Sequence, residues 1–299
     1  MVRFLEGIIP PVVTPFEADG RLDLAGYESN IESYSACDFS GILVLGSNGE
    51  AACLSEDEKV AIIRAAVAKS NGRPIYAGTG TDSTRTTIEL TKKAADAGAS
   101  AALVLNPFFF KSHLNGEALR RHYEAVADVA RIPVLIYSMP GATGLPIPPG
   151  VVHQLAKHPN IRGMKDSSGD IANLQKILAG VPKEFPLAAG SAPILYSALS
   201  LGASGGVLAV AGCAPEATAA VYRAFKAGDH ARASRLQLAL TPLALAVTAT
   251  YGVAGLKAAV TLSGRRGGIP RPPLAAATEA EVAEIKRLMD AARAALQGS

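Results

Sequence analysis

The chain has 299 residues, of which 49% are hydrophobic and 18% charged, and its formal net charge at pH 7 is +3. Such a chain can bury a large core, and its weak, scattered positive charge argues against a nucleic acid or a membrane as partner. The three cysteines and five histidines lack metal-binding spacings, so we expect buried thiols in a reducing compartment and no metal or cofactor. With no membrane-length apolar run and no signal-peptide pattern, we expect a cytoplasmic protein.

Eight short apolar runs follow one another along the chain, and each ends near a Gly, Pro, Asn or Ser. They cover residues 7–16, 41–50, 74–80, 100–107, 133–140, 160–166, 186–192 and 205–212. This pattern is typical of parallel strands that are covered on both faces. Amphipathic segments between the runs predict helices. One begins with a capping box formed by Ser55 and Glu58, and another ends at Gly98.

The spacing of these runs favours a closed barrel. Landmarks at the ends of successive runs, from Gly46 to Gly190, lie 25 to 32 residues apart, and a (β/α)₈ barrel needs about 31 residues per unit. A doubly wound sheet shares the alternation, but no G-x-G-x-x-G follows the first strand. We therefore predict an α/β fold: a (β/α)₈ TIM barrel over residues 1–225 and a C-terminal helical extension over residues 226–299. The apolar residues of the extension would serve either core packing or subunit contact.

In the sixth run, Lys165 directly follows the apolar residues 161–164, at the strand end where barrel enzymes place their active sites. A lysine after a strand is most often a solvated surface residue. Here, however, its stem would start inside the barrel, and burial disfavours the ammonium form. A neutral amine attacks carbonyl carbons to form an imine, which acts as an electron sink for C–C bond chemistry. Lys165 is therefore the candidate nucleophile.

Other polar groups are predicted to converge on the same end of the barrel. Tyr137 ends the preceding strand, so its phenol could relay protons beside Lys165, although a solvated hydroxyl is the alternative. Ser47 and Asn48 lie in "GSNGE", where backbone N–H groups could form a nest for a carboxylate. Further groups at the strand ends are Glu50, Thr79, Thr81, Asp166, Ser167, Gly190 and Ser191. Glu50 would sit close to any bound anion, so we expect it to be structural and to hold the loop by hydrogen bonds. The run "NPFFFK" predicts core packing, a subunit interface or an apolar wall of the pocket.

With these motifs assembled, the chain resembles the pyruvate-dependent class I lyases of the dihydrodipicolinate synthase and N-acetylneuraminate lyase family. The resemblance rests on "PPVVTPF", "GSNGE", "YSMPGATG", "GMKDSSGD", "AGSA", "GGVLAV" and "RPPL". It implies that Lys165 forms the imine, that Tyr137 shuttles protons, and that Ser47 and Asn48 hold the carboxylate. It also implies a homotetramer built as a dimer of dimers. Ser167 and the Ser-Asn pair look most like 4-hydroxy-2-oxoglutarate aldolases, and we expect Gly190 and the Leu208 backbone to line the pocket.

Two positions depart from the family pattern. Ala142 stands where dihydrodipicolinate synthases carry an arginine that helps to hold the second substrate's carboxylate, and Phe109 stands where a second tyrosine is common. We therefore expect cleavage of 4-hydroxy-2-oxoglutarate, or a related 2-oxo-4-hydroxy acid, to pyruvate and an aldehyde such as glyoxylate. The alternatives are a dehydratase or aldolase of a 2-keto-3-deoxy sugar acid, a dihydrodipicolinate synthase-like condensation, and a catalytically silent 2-oxo acid binding protein.

Overall fold

The computed structural model describes residues 4–297, and in this part of the chain eight parallel strands form one sheet. The strands are β1 Gly7–Ile9, β2 Ile42–Val44, β3 Ile75–Gly78, β4 Ala101–Leu105, β5 Val134–Ser138, β6 Ile161–Asp166, β7 Leu187–Ala189 and β8 Gly205–Val207. Neighbours in sequence are neighbours in the sheet, and β1 pairs with β8. A parallel bridge between Pro11 and Leu43 brings β1 to β2. The TIM barrel predicted from the spacing is confirmed.

Helices alternate with the strands and cover the outside of the barrel. They are α1 Leu24–Ser35, α2 Glu56–Lys69, α3 Thr84–Asp96, α4 Gly116–Val129, α5 Pro140–Thr143, α6 Pro149–Leu155, α7 Ile171–Leu178, α8 Leu195–Ser200 and α9 Pro215–Lys226. The predicted capping box is present, because Ser55 and Glu58 each accept the other's backbone N–H at the start of α2. Gly98 follows α3 with a φ of +92°, a conformation that favours glycine.

Alternation along each strand separates two apolar regions. Side chains that point inward fill the barrel interior, among them Ile9, Leu43, Leu103 and Leu135. Their sequence neighbours point outward and pack against the helices in two larger clusters. Tyr137 belongs to the interior cluster, so its ring closes the apolar filling at the carboxyl ends of the strands.

After α9 the chain continues as helices that pack back on the barrel. These are α10 His230–Leu245, a π-helical turn Ala246–Thr250, α11 Gly252–Leu262 and α12 Glu279–Gln297. Leu240, Val260 and Ile285, one from each α-helix, are buried in the same cluster as α1 and α9. The extension therefore contributes to core packing. Its division from the barrel at residues 225 and 226 stays a prediction.

The cysteines only partly match the expectation of buried thiols. Cys213 is buried, whereas Cys37 and Cys53 are half-buried, and all three are free. Cys37 lies in the loop after α1, and Cys53 ends a short 3₁₀ helix, Ala51–Cys53, before α2. Among the described helices, none is long and apolar enough to cross a bilayer.

Candidate active site

Lys165 lies inside the barrel mouth, with 3% of its surface exposed. The preceding residue on β6, Met164, packs outward among the helices, so alternation turns Lys165 inward. In the sheet, Lys165 is paired with Tyr137 on β5 and with Ala188 on β7. Its ammonium nitrogen lies 4.1 Å from the centroid of the Tyr137 ring. The amine predicted as nucleophile is therefore enclosed and adjacent to the predicted proton shuttle.

The Tyr137 hydroxyl is placed among polar atoms from two loops. It lies 3.5 Å from Ser47 Oγ and donates to Met139 Sδ at 2.8 Å. Ser47 Oγ also donates to Met139 Sδ at 3.5 Å. These three side chains form a closed triangle at the rim of the barrel, so a proton on one hydroxyl has a direct route to the other.

Two opposing effects act on the pKa of the Tyr137 hydroxyl. Burial by itself raises the pKa, because the phenolate loses solvation. The positive charge of Lys165 and hydrogen bonds with Ser47, Lys165 and Ser167 outweigh burial, and the pKa lies below its ordinary value. A phenol with a lowered pKa releases its proton more readily and is present as phenolate to a larger extent near neutral pH, which suits a group that moves protons in both directions.

Ser47 and Asn48 begin a short 3₁₀ helix, Ser47–Gly49, that follows β2. The first N–H groups of a helix have no partner within the helix and carry partial positive charge. Ser47 is exposed and Asn48 is half-buried, so both can meet a ligand. Together with the Ser47 hydroxyl, these groups offer donors for a carboxylate next to Tyr137.

Ser167 and Gly190 shape the space beside the amine. The Ser167 N–H donates to Ser138 O at 2.9 Å, which ties the loop after β6 to β5. A Cβ at Gly190 would lie 2.9 Å from Ser167 Cβ and 3.0 Å from Lys165 Cε. The absence of a side chain at Gly190 is therefore what leaves room for Lys165 and Ser167 together.

Asp166, which was predicted to converge on the site, instead organises the loop after β6. It is 1% exposed, and it accepts hydrogen bonds from the Ser168 N–H at 3.1 Å and the Ser168 hydroxyl at 2.8 Å. Burial raises its pKa, and the Ser168 hydrogen bonds oppose that rise. Asp166 therefore holds the turn that carries Ser167.

The predicted threonines after β3 serve structure. Thr79 pairs with Thr91 of α3 at 2.9 Å, and the Thr81 hydroxyl donates to Ser83 O at 3.0 Å. Leu208 directly follows β8, where its N–H donates to Ile9 O at 3.1 Å, and its side chain is fully buried. The Leu208 backbone thus sits at the same end of the barrel as Lys165, which is consistent with the predicted lining.

The two departures from the family pattern both lie near the mouth. Phe109 and Phe110 are 73% and 63% exposed and contact each other edge to face, with ring centroids 5.1 Å apart. Ala142 is exposed within α5 and brings no cation. The ammonium group of Lys111 lies close by, since a Cβ at Gly144 would be 2.7 Å from Lys111 Nζ. Lys111 is therefore a cation near the position where an arginine was expected.

Two contributors were missed by the sequence reasoning. Met139 belongs to the "YSMPGATG" motif, but nothing in its residue type signals that its sulfur bridges two hydroxyls. Lys257 pairs with Glu50 behind the 46–50 loop. A signal was available for Lys257, because it is a single lysine within the otherwise apolar stretch "GVAGLKAAVTL".

The geometry can hold a small molecule in which a carbonyl adjoins a carboxylate. The carboxylate would meet the Ser47–Asn48 donors, and the carbonyl carbon would face the enclosed amine. Tyr137 lies between the two with a hydroxyl that accepts or donates a proton. These groups are what imine formation on a 2-oxo acid requires.

Comparison with known proteins agrees with this chemistry. The sequence model of the Dihydrodipicolinate synthetase family matches residues 4–292. A 4-hydroxy-tetrahydrodipicolinate synthase of Methanoculleus marisnigri is 38% identical over 288 residues, which cover 95% of this chain and 98% of that protein. The synthase of Archaeoglobus fulgidus is 34% identical over 284 residues, covering 95% and 97%. These relatives support the predicted family and do not support the narrower resemblance to 4-hydroxy-2-oxoglutarate aldolases.

Solved structures of similar fold come from the same family. YagE, a prophage protein of the dihydrodipicolinic acid synthase family from E. coli K12, was crystallised in complex with pyruvate. It is 32% identical with a TM-score of 0.91, covering 97% of this chain and 99% of that chain. Dihydrodipicolinate synthase DapA-2 of Bacillus anthracis is 27% identical with a TM-score of 0.92 over the same shares.

Proposed function

The chain belongs to the dihydrodipicolinate synthetase family of pyruvate-dependent lyases, and we propose that Lys165 is the amine that forms its imine with pyruvate. The observation that carries this proposal is the enclosed position of Lys165, 3% exposed and directly opposite Tyr137 in the sheet. Tyr137 is then the proton shuttle, and Ser47 and Asn48 hold the carboxylate of the 2-oxo acid. Ser167, Gly190 and the Leu208 backbone line the pocket.

Imine formation begins with the neutral amine. The Lys165 nitrogen attacks the keto carbon, the carbonyl oxygen takes a proton from Tyr137, and the nitrogen returns a proton to the phenolate, which gives a carbinolamine with a hydroxyl on the former keto carbon. That hydroxyl leaves as water after a second protonation, and the nitrogen lone pair forms the C=N bond of the protonated imine. The Ser47 hydroxyl, 3.5 Å from Tyr137, gives the phenol a partner through which its proton is exchanged.

Cleavage of a 2-oxo-4-hydroxy acid uses this imine as an electron sink. Tyr137 removes the proton from the C4 hydroxyl and the C3–C4 bond breaks. Its electron pair forms a C2=C3 double bond while the C=N pair moves onto nitrogen, which gives an enamine. The aldehyde leaves, C3 takes a proton, and water hydrolyses the imine to release pyruvate and the free lysine. The condensation of pyruvate with an aldehyde is the same sequence in reverse.

For the acceptor, we propose a small aldehyde that carries a carboxylate, with 4-hydroxy-2-oxoglutarate cleaved to pyruvate and glyoxylate as the leading reaction. Ala142 leaves the α5 loop without a cation, and Lys111 supplies one beside Gly144. A second candidate is the condensation named for the relatives, 4-hydroxy-tetrahydrodipicolinate synthase. The names and identities of those relatives favour it, while Ala142 argues against it.

A substrate panel distinguishes these reactions. Pyruvate release is measured with 4-hydroxy-2-oxoglutarate, with longer 2-oxo-4-hydroxy acids and with 2-keto-3-deoxy sugar acids, and condensation is measured in the opposite direction. We expect the highest kcat/KM with 4-hydroxy-2-oxoglutarate. The Lys111→Met variant should raise KM for this substrate, while Lys157→Met, at the opposite end of the barrel, should not. Turnover confined to the synthase condensation would replace the leading reaction by the second. No turnover despite imine formation would identify a silent binder.

We also propose a homotetramer built as a dimer of dimers, located in the cytoplasm. The family resemblance and the exposed Phe109 and Phe110 support self-association. Sedimentation velocity of the wild-type chain and of a Phe109→Ser, Phe110→Ser variant tests it.

A further inference from the structure

We propose that an ion pair between Glu50 and Lys257 makes the C-terminal extension a positioning element for the carboxylate-binding loop 46–50. The strength of pyruvate binding would then depend on a lysine that never contacts the ligand. This inference rests on the proposed role of Ser47 and Asn48, and it adds a function for the extension beyond core packing.

The ion pair is completely enclosed. Lys257 Nζ lies 2.5 Å from Glu50 Oε1, and both side chains are 1% exposed. Within residues 4–297 no hydrogen-bond donor is aligned on this carboxylate oxygen, so the Lys257 charge is what compensates it. A buried carboxylate without such a partner is strongly disfavoured. In the folded state each of the two buried charges therefore depends on the other for compensation.

Lys257 is itself fixed by the extension. Its ammonium group donates to Ile269 O at 2.6 Å and lies 4.4 Å from the centroid of the Phe16 ring. α11, the segment after it and the loop after β1 therefore meet around a single cation. An ammonium held from three sides is a rigid anchor for its carboxylate.

A second contact from the extension fixes the other oxygen of Glu50. The Arg271 N–H donates to Glu50 Oε2 at 2.8 Å. The Arg271 guanidinium reaches past the loop to Glu58 Oε1 at 2.5 Å and to Cys53 O at 2.9 Å. The extension thus holds both the loop and the start of α2 that follows it.

The loop needs this support because its backbone conformation is unusual. Glu50 has φ 54° and ψ 37°, the left-handed region that non-glycine residues rarely adopt. Its N–H donates to Ser47 O at 3.0 Å, so the conformation of Glu50 closes the short helix that begins at Ser47. On the other side, the Thr14 hydroxyl donates to Gly49 O at 2.7 Å. A displacement of Lys257 would therefore shift Glu50, and Glu50 would shift the Ser47 and Asn48 groups that are proposed to hold the carboxylate.

The experiment measures pyruvate affinity and imine formation separately on the full-length protein. Calorimetry gives the Kd for pyruvate, and borohydride reduction at saturating pyruvate gives the fraction of Lys165 that is trapped. The variants are Lys257→Met and Glu50→Gln, which remove one charge each and keep side-chain size. Asn30→Ala is the matched control, because the Asn30 amide donates to Arg266 O at 2.7 Å and accepts from the Arg266 N–H at 2.8 Å, so it bonds the same extension at a residue that does not bond Glu50 in this way.

We expect both charge variants to raise the Kd for pyruvate at least about tenfold, since small displacements of binding groups have effects of this size. Trapping at saturating pyruvate should stay close to the wild-type value, and Asn30→Ala should bind pyruvate normally despite a lower melting temperature. If Lys257→Met does not fold, the milder Glu50→Gln decides the outcome.

A folded Glu50→Gln variant whose Kd stays within about twofold of the wild type would overturn the inference. So would an equal loss of affinity in Asn30→Ala, because the effect would then follow from general destabilisation. A wild-type protein that binds pyruvate without being trapped would instead refute the proposed function and leave the affinity comparison valid. A wild type that does not bind pyruvate would refute both.

Discussion

Lys165 and Tyr137 are direct partners across β5 and β6, with the lysine nitrogen 4.1 Å from the centroid of the phenol ring. This register follows from two strand ends that lie one βα unit apart in the sequence. It places an enclosed amine and a phenol of lowered pKa at one end of a barrel that is otherwise filled with apolar side chains. The residues around this pair make separate contributions to catalysis and stability that can be measured.

Removal of the phenol oxygen should slow the chemistry without unfolding the protein. For Tyr137→Phe we expect kcat to fall by about 10² to 10⁴, the usual contribution of a positioned acid–base group. Tyr34→Phe is the control, because its fully buried hydroxyl donates to Gly212 O at 2.8 Å and its ring packs in the outer cluster around α1. It should lose about 1 kcal/mol of stability and keep its kcat. Near-normal turnover by Tyr137→Phe would assign the proton transfer to another group.

The pH dependence of turnover should report the Tyr137 hydroxyl. Its pKa lies below the ordinary value of 10.0 because burial, which raises it, is outweighed by Lys165 and by hydrogen bonds that include Ser47. The basic form grows as pH rises, so kcat should increase with pH and level off below pH 10. Ser47→Ala removes one pKa-lowering bond and should move this limb to higher pH. A limb that moves to lower pH, measured from kcat against pH, would contradict the assignment.

A single methyl group at Gly190 should disturb the site more than its size suggests. A Cβ there would lie 3.0 Å from Lys165 Cε and 2.9 Å from Ser167 Cβ, closer than side chains pack. We expect Gly190→Ala to reduce kcat/KM at least about tenfold, measured with the best substrate of the panel. Gly150→Ala, where no atom lies within 4 Å of the added carbon, should be neutral. Equal kinetics for the two variants would show that the space beside Lys165 is not limiting.

The contact between Glu58 and Arg271 should make stability depend on acid pH. Hydrogen bonds from Arg271 lower the pKa of Glu58 from 4.5 to about 2. A lowered folded-state pKa stabilises the protein above pH 4.5, and this contribution is lost as pH falls through about 2. Glu58→Gln should therefore lower the free energy of unfolding at pH 7 by about 1 kcal/mol, given partial exposure. Denaturant unfolding of both proteins checks this: the difference should shrink below pH 4, and a constant difference would exclude the charge as its cause.

The barrel could be predicted from sequence because its signals are local and repeated. Each strand is a short apolar run before a polar loop, and each helix carries its own start signal, as Ser55 and Glu58 do for α2. The place of Lys165 followed from the same rule, since residues at the carboxyl ends of the strands surround the barrel mouth, and alternation along β6 turns its side chain inward.

The contacts that complete the site depend on residues far apart in the chain. Glu50 and Lys257 meet only because α11 folds back on the barrel, and no local pattern encodes that pairing. Met139 lies two residues after Tyr137 in sequence, yet its contact with Ser47 depends on the direction of a flexible side chain. Thr79 and Thr81 were predicted to face the mouth, and their hydroxyls are instead used by α3 and its loop.

The most direct measurement is borohydride reduction in the presence of pyruvate, followed by peptide mass mapping of the modified lysine. The account predicts one stable pyruvyl adduct, located on Lys165 and absent from a Lys165→Met variant. The other deeply buried lysine, Lys257, is 1% exposed and paired with Glu50, and it should remain unmodified. An unmodified Lys165 at saturating pyruvate, or an adduct on a different lysine, would contradict the central claim.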